Sequence, residues 1–509
     1  MWQRFSFYDF RVIGHYLGVL LFFTGLMMLI PLSVALALGE YEPAQRYLMS
    51  MGIGICVGSL LRMLRIAPGK LSRQQAVAVT SFAWLVVGFM AAVPLALSSH
   101  YASVLDAVFD AVSLVTTTGV SIASNPDHIS YADNMWRFSL SYAGGLGLIV
   151  VAMSFGLFGP SSGHPSLYES EGRSEHVLPN VVQTAQFILK FSSSIVGLAA
   201  IVLAIVLALH GVDPLRSAFH GLWLAITSFM TTGLTPQSLG VAYYHSVGIE
   251  FVLMILMVLG SINFGLQSEV LRGRVKAFMR DIEVHAGVAW VAGTLIVFIC
   301  ALAGSELMNN LPAMMRTGLF TLIAASTTCG LSVVSSNQLT TVFPSGALLV
   351  LALAMAVGGS SGSTAGGIKL RRIAIIGKSA FETMKSTASP ESARIVTNYY
   401  HIGRHRLDGP EVKEAMTVFI MFVAVYIIGA LAGIAMGYDA VAAVSESVAM
   451  ASNGGISSGI ADSSAPVLLK IIYIAEMWAG RLEFVTFLAV FIKIFASVRP
   501  RRTWIKRED

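Results

Sequence analysis

Four short stretches of small and polar residues recur along this 509-residue chain: TTTGVS at 116–121, TTGLT at 231–235, STTCGLS at 326–332 and ASNGGISSG at 451–459. We call them the first to fourth tags. Their central glycines are separated by 114, 97 and 125 residues, at Gly119, Gly233, Gly330 and Gly455. Each tag ends a short apolar piece, and these pieces lie near 103–116, 216–230, 313–327 and 438–451. Pieces of about 12–15 residues are too short to cross a bilayer, so they predict half-buried or re-entrant helices.

The overall composition predicts a polytopic membrane protein. Hydrophobic residues make up 55% of the chain and charged residues 12%, and the mean hydropathy is +0.73. Soluble domains carry about 25% charged residues, so this chain has half the usual number. The composition argues against a soluble enzyme, a disordered chain and a nucleic-acid binder. The three cysteines, Cys56, Cys300 and Cys329, are too few and too scattered for a disulfide framework or a zinc site.

Ten longer apolar stretches are candidates for membrane spans, because each approaches or exceeds the roughly 20 residues needed to cross the hydrocarbon. The first apolar run is too long for the core of a signal peptide, so we interpret it as a membrane helix. The ten stretches lie near 14–38, 46–66, 76–98, 136–158, 187–210, 244–267, 285–304, 344–367, 414–436 and 466–496.

The distribution of positive charge predicts which side each connection faces. Of the 33 lysines and arginines, 27 fall in the two termini and in alternate connections. The positive-inside rule assigns those segments to the cytoplasm. Both termini are therefore predicted to be cytoplasmic, and all four tags to face outward.

The recurrence predicts an all-α fold with four pseudo-symmetric repeats of span, short helix, tag and span around a central ion pore. Two extra transmembrane helices precede the repeats. The predicted boundaries are 1–70 for the extra helices, then 71–160, 161–270, 271–380 and 381–509 for the four repeats, the last including a basic cytoplasmic tail.

The composition of the tags suggests what four of them can do around one axis. Non-helical backbone is tolerated at membrane depth only where protein buries it or where it lines a water-filled cavity. Glycine allows successive carbonyl groups to point the same way, and rings of carbonyl oxygens can replace the hydration shell of a monovalent cation. No tag contains a carboxylate, which argues against tight divalent binding. Any one tag alone is more typical of an ordinary external turn. Four such tags at matching places favour a ring of carbonyl oxygens.

Longer motifs strengthen this interpretation. The segments GGSSGSTAGGIKLRRI at 358–373, GSINFGLQ at 260–267, YAGGLGLIV at 142–150 and AGRLEFVTF at 479–487 resemble signatures of the Trk/Ktr/HKT superfamily of potassium-uptake proteins, specifically its bacterial TrkH type. The resemblance covers residues from about 10 to 497.

The resemblance implies a potassium filter with one contribution from each tag, K⁺ as the transported ligand, and no organic cofactor in this chain. Gly119 stands where some plant members carry a serine linked to sodium preference, so the resemblance favours potassium. The fourth tag departs from the others, with Asn453 in place of threonine. The implied filter residues are Thr117, Thr118, Gly119, Val120, Thr231, Thr232, Gly233, Leu234, Thr328, Cys329, Gly330, Leu331, Asn453, Gly454, Gly455 and Ile456.

The segment 358–367 contains only glycine, serine, threonine and alanine, and we call it the small-residue segment. Taken alone, its GxxxGxxxG spacing favours helix packing. Its residues are poor helix formers, however, and could unwind. The resemblance implies an intramembrane gating loop beneath the filter, with Lys369 at its cytoplasmic edge. The loop residues are Gly358, Gly359, Ser360, Ser361, Gly362, Ser363, Thr364, Ala365, Gly366 and Gly367.

Arg481 is the one lysine or arginine well inside a predicted span. A guanidinium at that depth costs about 2.5–3.5 kcal/mol on insertion scales, so it should face the bundle interior and have partners. An ion pair with Glu476 or Glu483 is one interpretation. The resemblance implies another, in which Arg481 faces the pore below the filter and contacts the gating loop.

The predicted function is potassium uptake across the bacterial inner membrane. The resemblance implies cytoplasmic TrkA-type nucleotide-binding regulatory subunits as partners, and a homodimer. This chain has no dinucleotide-binding fingerprint of its own, and no catalytic spacing predicts an enzyme. The basic cytoplasmic loops could also bind anionic membrane lipid. The alternative is a Na⁺- or H⁺-coupled potassium symporter with the same filter, in which Glu476 and Glu483 would be the candidate coupling carboxylates.

Overall fold

The computed structural model describes residues 5–66, 71–155, 180–303, 305, 310–390, 395–482 and 485–498. This part of the chain is predominantly helical, which confirms the predicted fold class. A small antiparallel hairpin, β1 Asn398–His401 and β2 Gly403–Arg406, is the exception that the sequence did not predict.

The chain begins with a helical pair packed through glycines. The helices are α1 Phe7–Met27, its continuation α2 Leu29–Leu38, and α3 Tyr41–Arg62. A Cβ atom at Gly58 would lie 2.5 Å from the backbone nitrogen of Phe22, so only glycine allows the α1 and α3 backbones to come this close. Of these, Phe7–Leu38 is long and apolar enough to cross a membrane; that two transmembrane helices precede the repeats stays a prediction.

Four units follow, each with a long helix, a short helix, a tag and further helices after the tag. The helices of the first unit are α4 Arg73–Ala96, α5 Val104–Val115, α6 Tyr131–Leu146 and α7 Leu148–Ser154. Those of the second are α8 Val181–Leu209, α9 Pro214–Phe229, α10 Val247–Ser261 and α11 Phe264–Leu271, with α12 Val275–Arg280 after them.

The third and fourth units repeat this order. The helices of the third are α13 Ile282–Ala301, α14 Phe320–Ser326, α15 Ser336–Val342, α16 Ser345–Ala356 and α17 Leu370–Thr387. One α-helical turn, Leu311–Ala313, and a π-helical segment, Met314–Leu319, lead into α14. Those of the fourth are α18 Gly409–Ala435, α19 Ala440–Ala451, α20 Val467–Arg481 and α21 Val485–Val498.

The second long helix is interrupted in the first and second units, where the sequence predicted continuous spans. The chain bends by 90° between α6 and α7 and by 104° between α10 and α11. Gly147 makes the first bend with a φ of 90°, and the Asn263 side chain caps α11 at the second by accepting from two backbone amides. Among the described residues, five helices are long and apolar enough to cross a membrane, or seven if each bent pair counts as one span.

Contacts between distant segments pair stretches that the charge distribution assigned to the same side. On the side predicted to be cytoplasmic, Arg11 donates to the carbonyl of Arg65 at 2.7 Å. On the opposite side, the backbone amide of Ser238 donates to Asp127 at 2.9 Å, and Lys470 pairs with Asp106 at 2.6 Å. The predicted sidedness and the fold are therefore mutually consistent.

A buried ion pair joins the extra helices to the first unit. Arg46 on α3 approaches Asp133 on α6 at 3.0 Å, and the two side chains are 8% and 3% exposed. Tyr47 also donates to Asp133, at 2.7 Å. Arg46 has a second carboxylate partner, Glu42, whose side chain is 69% exposed.

We expect Asp133→Ala to lower the free energy of unfolding by about 3–5 kcal/mol, because it removes the buried counter-ion of a buried guanidinium and leaves only the exposed Glu42. Thermal unfolding of the purified protein in detergent measures the change. Glu42→Gln is the matched control on the same arginine, and its cost should stay within about 1 kcal/mol because that carboxylate is exposed. Equal costs for the two variants would contradict this account.

Candidate ion pathway

Each short helix ends in the same C-terminal cap. In all four, the amide two residues after the C-cap donates to the carbonyl five positions back, at 2.8–2.9 Å, and the amide one residue after it donates three positions back. This is the Schellman arrangement, which satisfies the last carbonyls of the helix and reverses the chain. The four amides that make the longer bond belong to Thr118, Thr232, Cys329 and Gly454.

The cap forces the same backbone angles on every tag. The residue after each C-cap is left-handed although it is not glycine, with φ between 49° and 61°, at Thr117, Thr231, Thr328 and Asn453. The left-handed conformation costs a non-glycine residue about 1–2 kcal/mol. Two positions later, each central glycine is also left-handed, with φ between 71° and 84°. The predicted equivalence of the tags therefore extends to their backbone conformation.

The four tags close into a ring. A Cβ atom on any central glycine would lie only 1.7–2.8 Å from the carbonyl oxygen of the residue before the next tag's central glycine. Each tag contacts its successor and the fourth contacts the first, so the order is cyclic. The pairs are Gly119 with Thr232, Gly233 with Cys329, Gly330 with Gly454, and Gly455 with Thr118. We call this arrangement the tag ring.

The small-residue segment lies against the tag ring. The Thr364 hydroxyl is 3.1 Å from that of Thr231 in the second tag. The backbone amide of Gly366 donates to the Thr328 hydroxyl of the third tag at 2.8 Å. A Cβ atom at Gly366 would lie 2.1 Å from the carbonyl oxygen of Ser452 in the fourth tag. The segment is non-helical here, as the unwound interpretation predicted, and it touches three tags directly.

Arg481 connects the segment to the remaining tag. Its Nη1 donates to the Thr117 hydroxyl of the first tag and to the carbonyl of Thr364, both at 3.1 Å. Its Nη2 donates to the carbonyl of Gly144 at 2.6 Å, and the guanidinium carbon is 5.3 Å from the centre of the Trp84 ring. Arg481, at the end of α20, therefore joins α6 of the first unit, the first tag and the small-residue segment.

The two carboxylates considered as partners for Arg481 have different outcomes. Glu476 accepts a hydrogen bond from the Ser447 hydroxyl at 2.9 Å, behind the fourth short helix. Glu483 lies outside the described residues. The predicted gating-loop edge residue, Lys369, is buried and donates back to the carbonyl of Ala365.

Residues 44–499 match the family model for TrkH, described as cation transport protein. This chain belongs to the TrkH family. The match covers most of the chain, including all four tags, the small-residue segment and Arg481, and it confirms the resemblance drawn from the motifs.

Relatives of this TrkH-family chain align along nearly its whole length. The Trk system potassium uptake protein TrkH of Escherichia coli K12 is 27% identical over 501 residues, covering 96% of this chain and 99% of that protein. An uncharacterized cation transporter of Methanocaldococcus jannaschii is 28% identical over 489 residues, covering 96% of each. The crystal structure of the potassium transporter TrkH from Vibrio parahaemolyticus superposes with a TM-score of 0.78 at 22% identity, over 96% and 99% of the two chains, which establishes the fold.

Sequence reasoning missed the buried polar groups behind the tags of this TrkH-family chain. Glu446 on the fourth short helix is fully buried and accepts from Ser457 and Ser458. Arg137, 1% exposed, pairs with the buried Asp110 of the first short helix at 3.2 Å. An acidic residue in the middle of an apolar piece was the signal that could have found them, because buried carboxylates need partners.

We expect Gly119→Ala to abolish cation flux, because its Cβ would overlap the Thr232 carbonyl oxygen and open the tag ring. Gly437→Ala is the matched control. Gly437 is also left-handed, with a φ of 92°, but a Cβ there meets nothing within 4 Å. That control should lose about 1–2 kcal/mol of stability from backbone strain alone and keep its flux. Radioactive Rb⁺ uptake into liposomes measures both; normal uptake by the Gly119 variant would argue against the ring.

Proposed function

We propose that this protein takes up potassium across the bacterial inner membrane, with K⁺ passing through the tag ring and both termini in the cytoplasm. The observation that carries the proposal is the cyclic contact between four tags of identical backbone geometry. The names of relatives support the choice of ion, since several are Trk system potassium uptake proteins.

The filter would use the backbone of all four repeats, 71–160, 161–270, 271–380 and 381–509. The carbonyls that contact the central glycines come from equivalent positions, so they lie at one level of the ring. Four carbonyls at one level can replace water around a dehydrated monovalent cation. Each short helix also directs its C-terminal, electronegative end toward its tag, which favours a cation there.

The small-residue segment would act as the gate, and its contacts with the tags would hold the pathway closed. It occupies the side of the tag ring where Arg481 lies, and it bonds to Thr231 of the second tag, to Thr328 of the third tag and to Arg481. Its glycines and alanine leave little side-chain volume, so the backbone itself fills the space. Arg481 would add a positive charge at the same level, which opposes cation passage while the segment is in place.

The cytoplasmic side carries elements suited to regulation. Arg371 on α17 pairs with Glu411 on α18 at 2.7 Å, and Tyr399 of the hairpin donates to the same carboxylate. Burial raises the pKa of the Tyr399 phenol, so it remains a donor at neutral pH. The helix that carries Arg371, α17, begins three residues after the end of the small-residue segment. TrkA-type nucleotide-binding subunits docking there could move the gate, and a homodimer and anionic lipid complete the proposed assembly.

The deciding experiment is ion flux through the purified protein in liposomes, comparing K⁺, Rb⁺ and Na⁺ with no other gradient. Uptake of K⁺ and Rb⁺ well above Na⁺ supports a selective pore. Uptake that requires a Na⁺ or H⁺ gradient supports the coupled symporter instead and directs attention to Glu476. Liposomes that take up none of the three ions would contradict both readings.

We expect Thr364→Val to raise basal Rb⁺ flux by about three- to tenfold, because each neutral hydrogen bond lost from the closed state contributes about 0.5–1.5 kcal/mol. The Thr364 hydroxyl bonds to Thr231 and to the carbonyls of Phe229 and Gly260, and valine preserves its shape.

The matched control is Thr417→Val on α18. The Thr417 hydroxyl donates only to the carbonyl of Lys413 within its own helix. Basal flux in that variant should equal that of the parent protein. If Thr364→Val left basal flux unchanged or lowered it, the segment would not be held closed by these bonds.

A further inference from the structure

At one equivalent position the four short helices carry side chains of different chemical character. Six residues before each C-cap stand Asp110, Leu224, Thr321 and Glu446, in units one to four. All four side chains are at most 1% exposed. Two neighbouring units therefore place a buried acid directly behind the tag ring, and the other two do not.

Glu446, the buried acid of the fourth unit, binds the part of its tag that follows the central glycine. Glu446 accepts four hydrogen bonds, at 2.6–3.2 Å, from groups that follow Gly455. The donors are the Ser457 hydroxyl, the Ser458 hydroxyl, and the backbone amides of Ser458 and Ala461. Both carboxylate oxygens accept from a backbone N–H, and the ionised form can accept all four bonds at once.

The acid of the first unit reaches the equivalent residue of its own tag through an arginine. Ser121 stands two residues after Gly119, as Ser457 stands two residues after Gly455. Arg137 donates to the Ser121 hydroxyl at 2.6 Å and to Asp110 at 3.2 Å.

Within the part of the chain that the structure describes, the equivalent hydroxyls of the other two units bond only within their own loops. Thr235 donates to the carbonyl of Gln237, and the Ser332 hydroxyl accepts from the amide of Val334. The outer part of the ring is thus anchored to the short helices in two units out of four.

We propose that Glu446, with Asp110 in the neighbouring unit, is a positioning residue that fixes the width of the tag ring and thereby its preference for K⁺ over Na⁺. This inference rests on the proposed function. In this role Glu446 does not contact the ion itself. It acts through the part of the fourth tag that follows Gly455. If this part of the tag is free to move inward, the tag carbonyls can approach a smaller ion, and the free-energy penalty for binding Na⁺ falls.

The test is Glu446→Gln, which keeps the side chain's size. In either orientation of the glutamine amide, its NH₂ group faces a backbone N–H, from which it cannot accept a hydrogen bond. The part of the fourth tag after Gly455 therefore loses a hydrogen bond that holds it to the short helix. We expect the K⁺/Na⁺ permeability ratio, measured as the reversal potential under bi-ionic conditions in a planar bilayer, to fall about tenfold or more, since hydrogen bonds to charged groups are the stronger ones.

The matched control is Thr321→Val, at the equivalent position of the third unit. The Thr321 hydroxyl donates to the carbonyl of Thr317 on its own side of the helix and does not hold the third tag. Its permeability ratio should equal that of the parent. A purely structural role for Glu446 would instead lower the yield of folded protein and the total current while leaving the ratio unchanged.

Ser457→Ala provides a second, milder variant should Glu446→Gln fail to fold, because it removes a single donor. It should lower the ratio in the same direction by a smaller factor. An unchanged ratio in whichever variant folds would overturn the inference. The parent protein separates this failure from that of the proposed function: a parent that does not prefer K⁺ refutes the filter itself, whereas a selective parent with equally selective variants refutes only the role of Glu446.

Discussion

The central constraint on this structure is the contact between the central glycine of each tag and a carbonyl oxygen of the next. Nothing larger than a hydrogen atom fits at those four positions. The contact closes only if all four tags adopt the same left-handed geometry, and the Schellman caps of the short helices impose it. Because the caps satisfy the amides within each helix, carbonyl oxygens of the tags are left available for an ion. This is how irregular backbone can exist at membrane depth without a large energetic cost.

The inner side of the ring follows from the same constraint. Segment 358–367 reaches three tags through Thr364 and Gly366, and it does so with backbone atoms and one hydroxyl. Bulky side chains would hold the segment away from the carbonyl of Ser452. Arg481 bridges to the first tag, so the one arginine deep in a span has its charge solvated by hydroxyl and carbonyl oxygens in place of water. The energetic cost of burying it is thereby reduced at the point where it can influence a passing cation.

The four units are equivalent in backbone but unequal in the groups that support them. Asn453 donates to the Thr118 hydroxyl and to the carbonyl of Met477, so the residue that departs from the threonine pattern joins the fourth tag to the first. Buried acids support the same two tags from behind. The second and third tags depend on their own loops and on their contacts with the small-residue segment. Among the described residues, two neighbouring sides of the ring are therefore supported by a buried acid and the other two are not.

The sequence by itself determined the membrane class, the position of every tag and the family. These properties follow from local composition and from repetition, and the glycines are required wherever a chain reverses with a left-handed residue. It did not predict the breaks at Gly147 and Asn263, because an apolar stretch does not reveal where a left-handed glycine or a polar cap interrupts the helix. Only the tertiary structure decided that Arg481 meets Thr117 and Thr364, and that Glu446 holds the fourth tag. Arg481 is separated from Thr117 by 364 positions and from Thr364 by 117 positions. Glu446 lies on a helix, and the residues that it binds lie on the loop that follows this helix. They depend on how four units pack around one axis, which no single segment encodes.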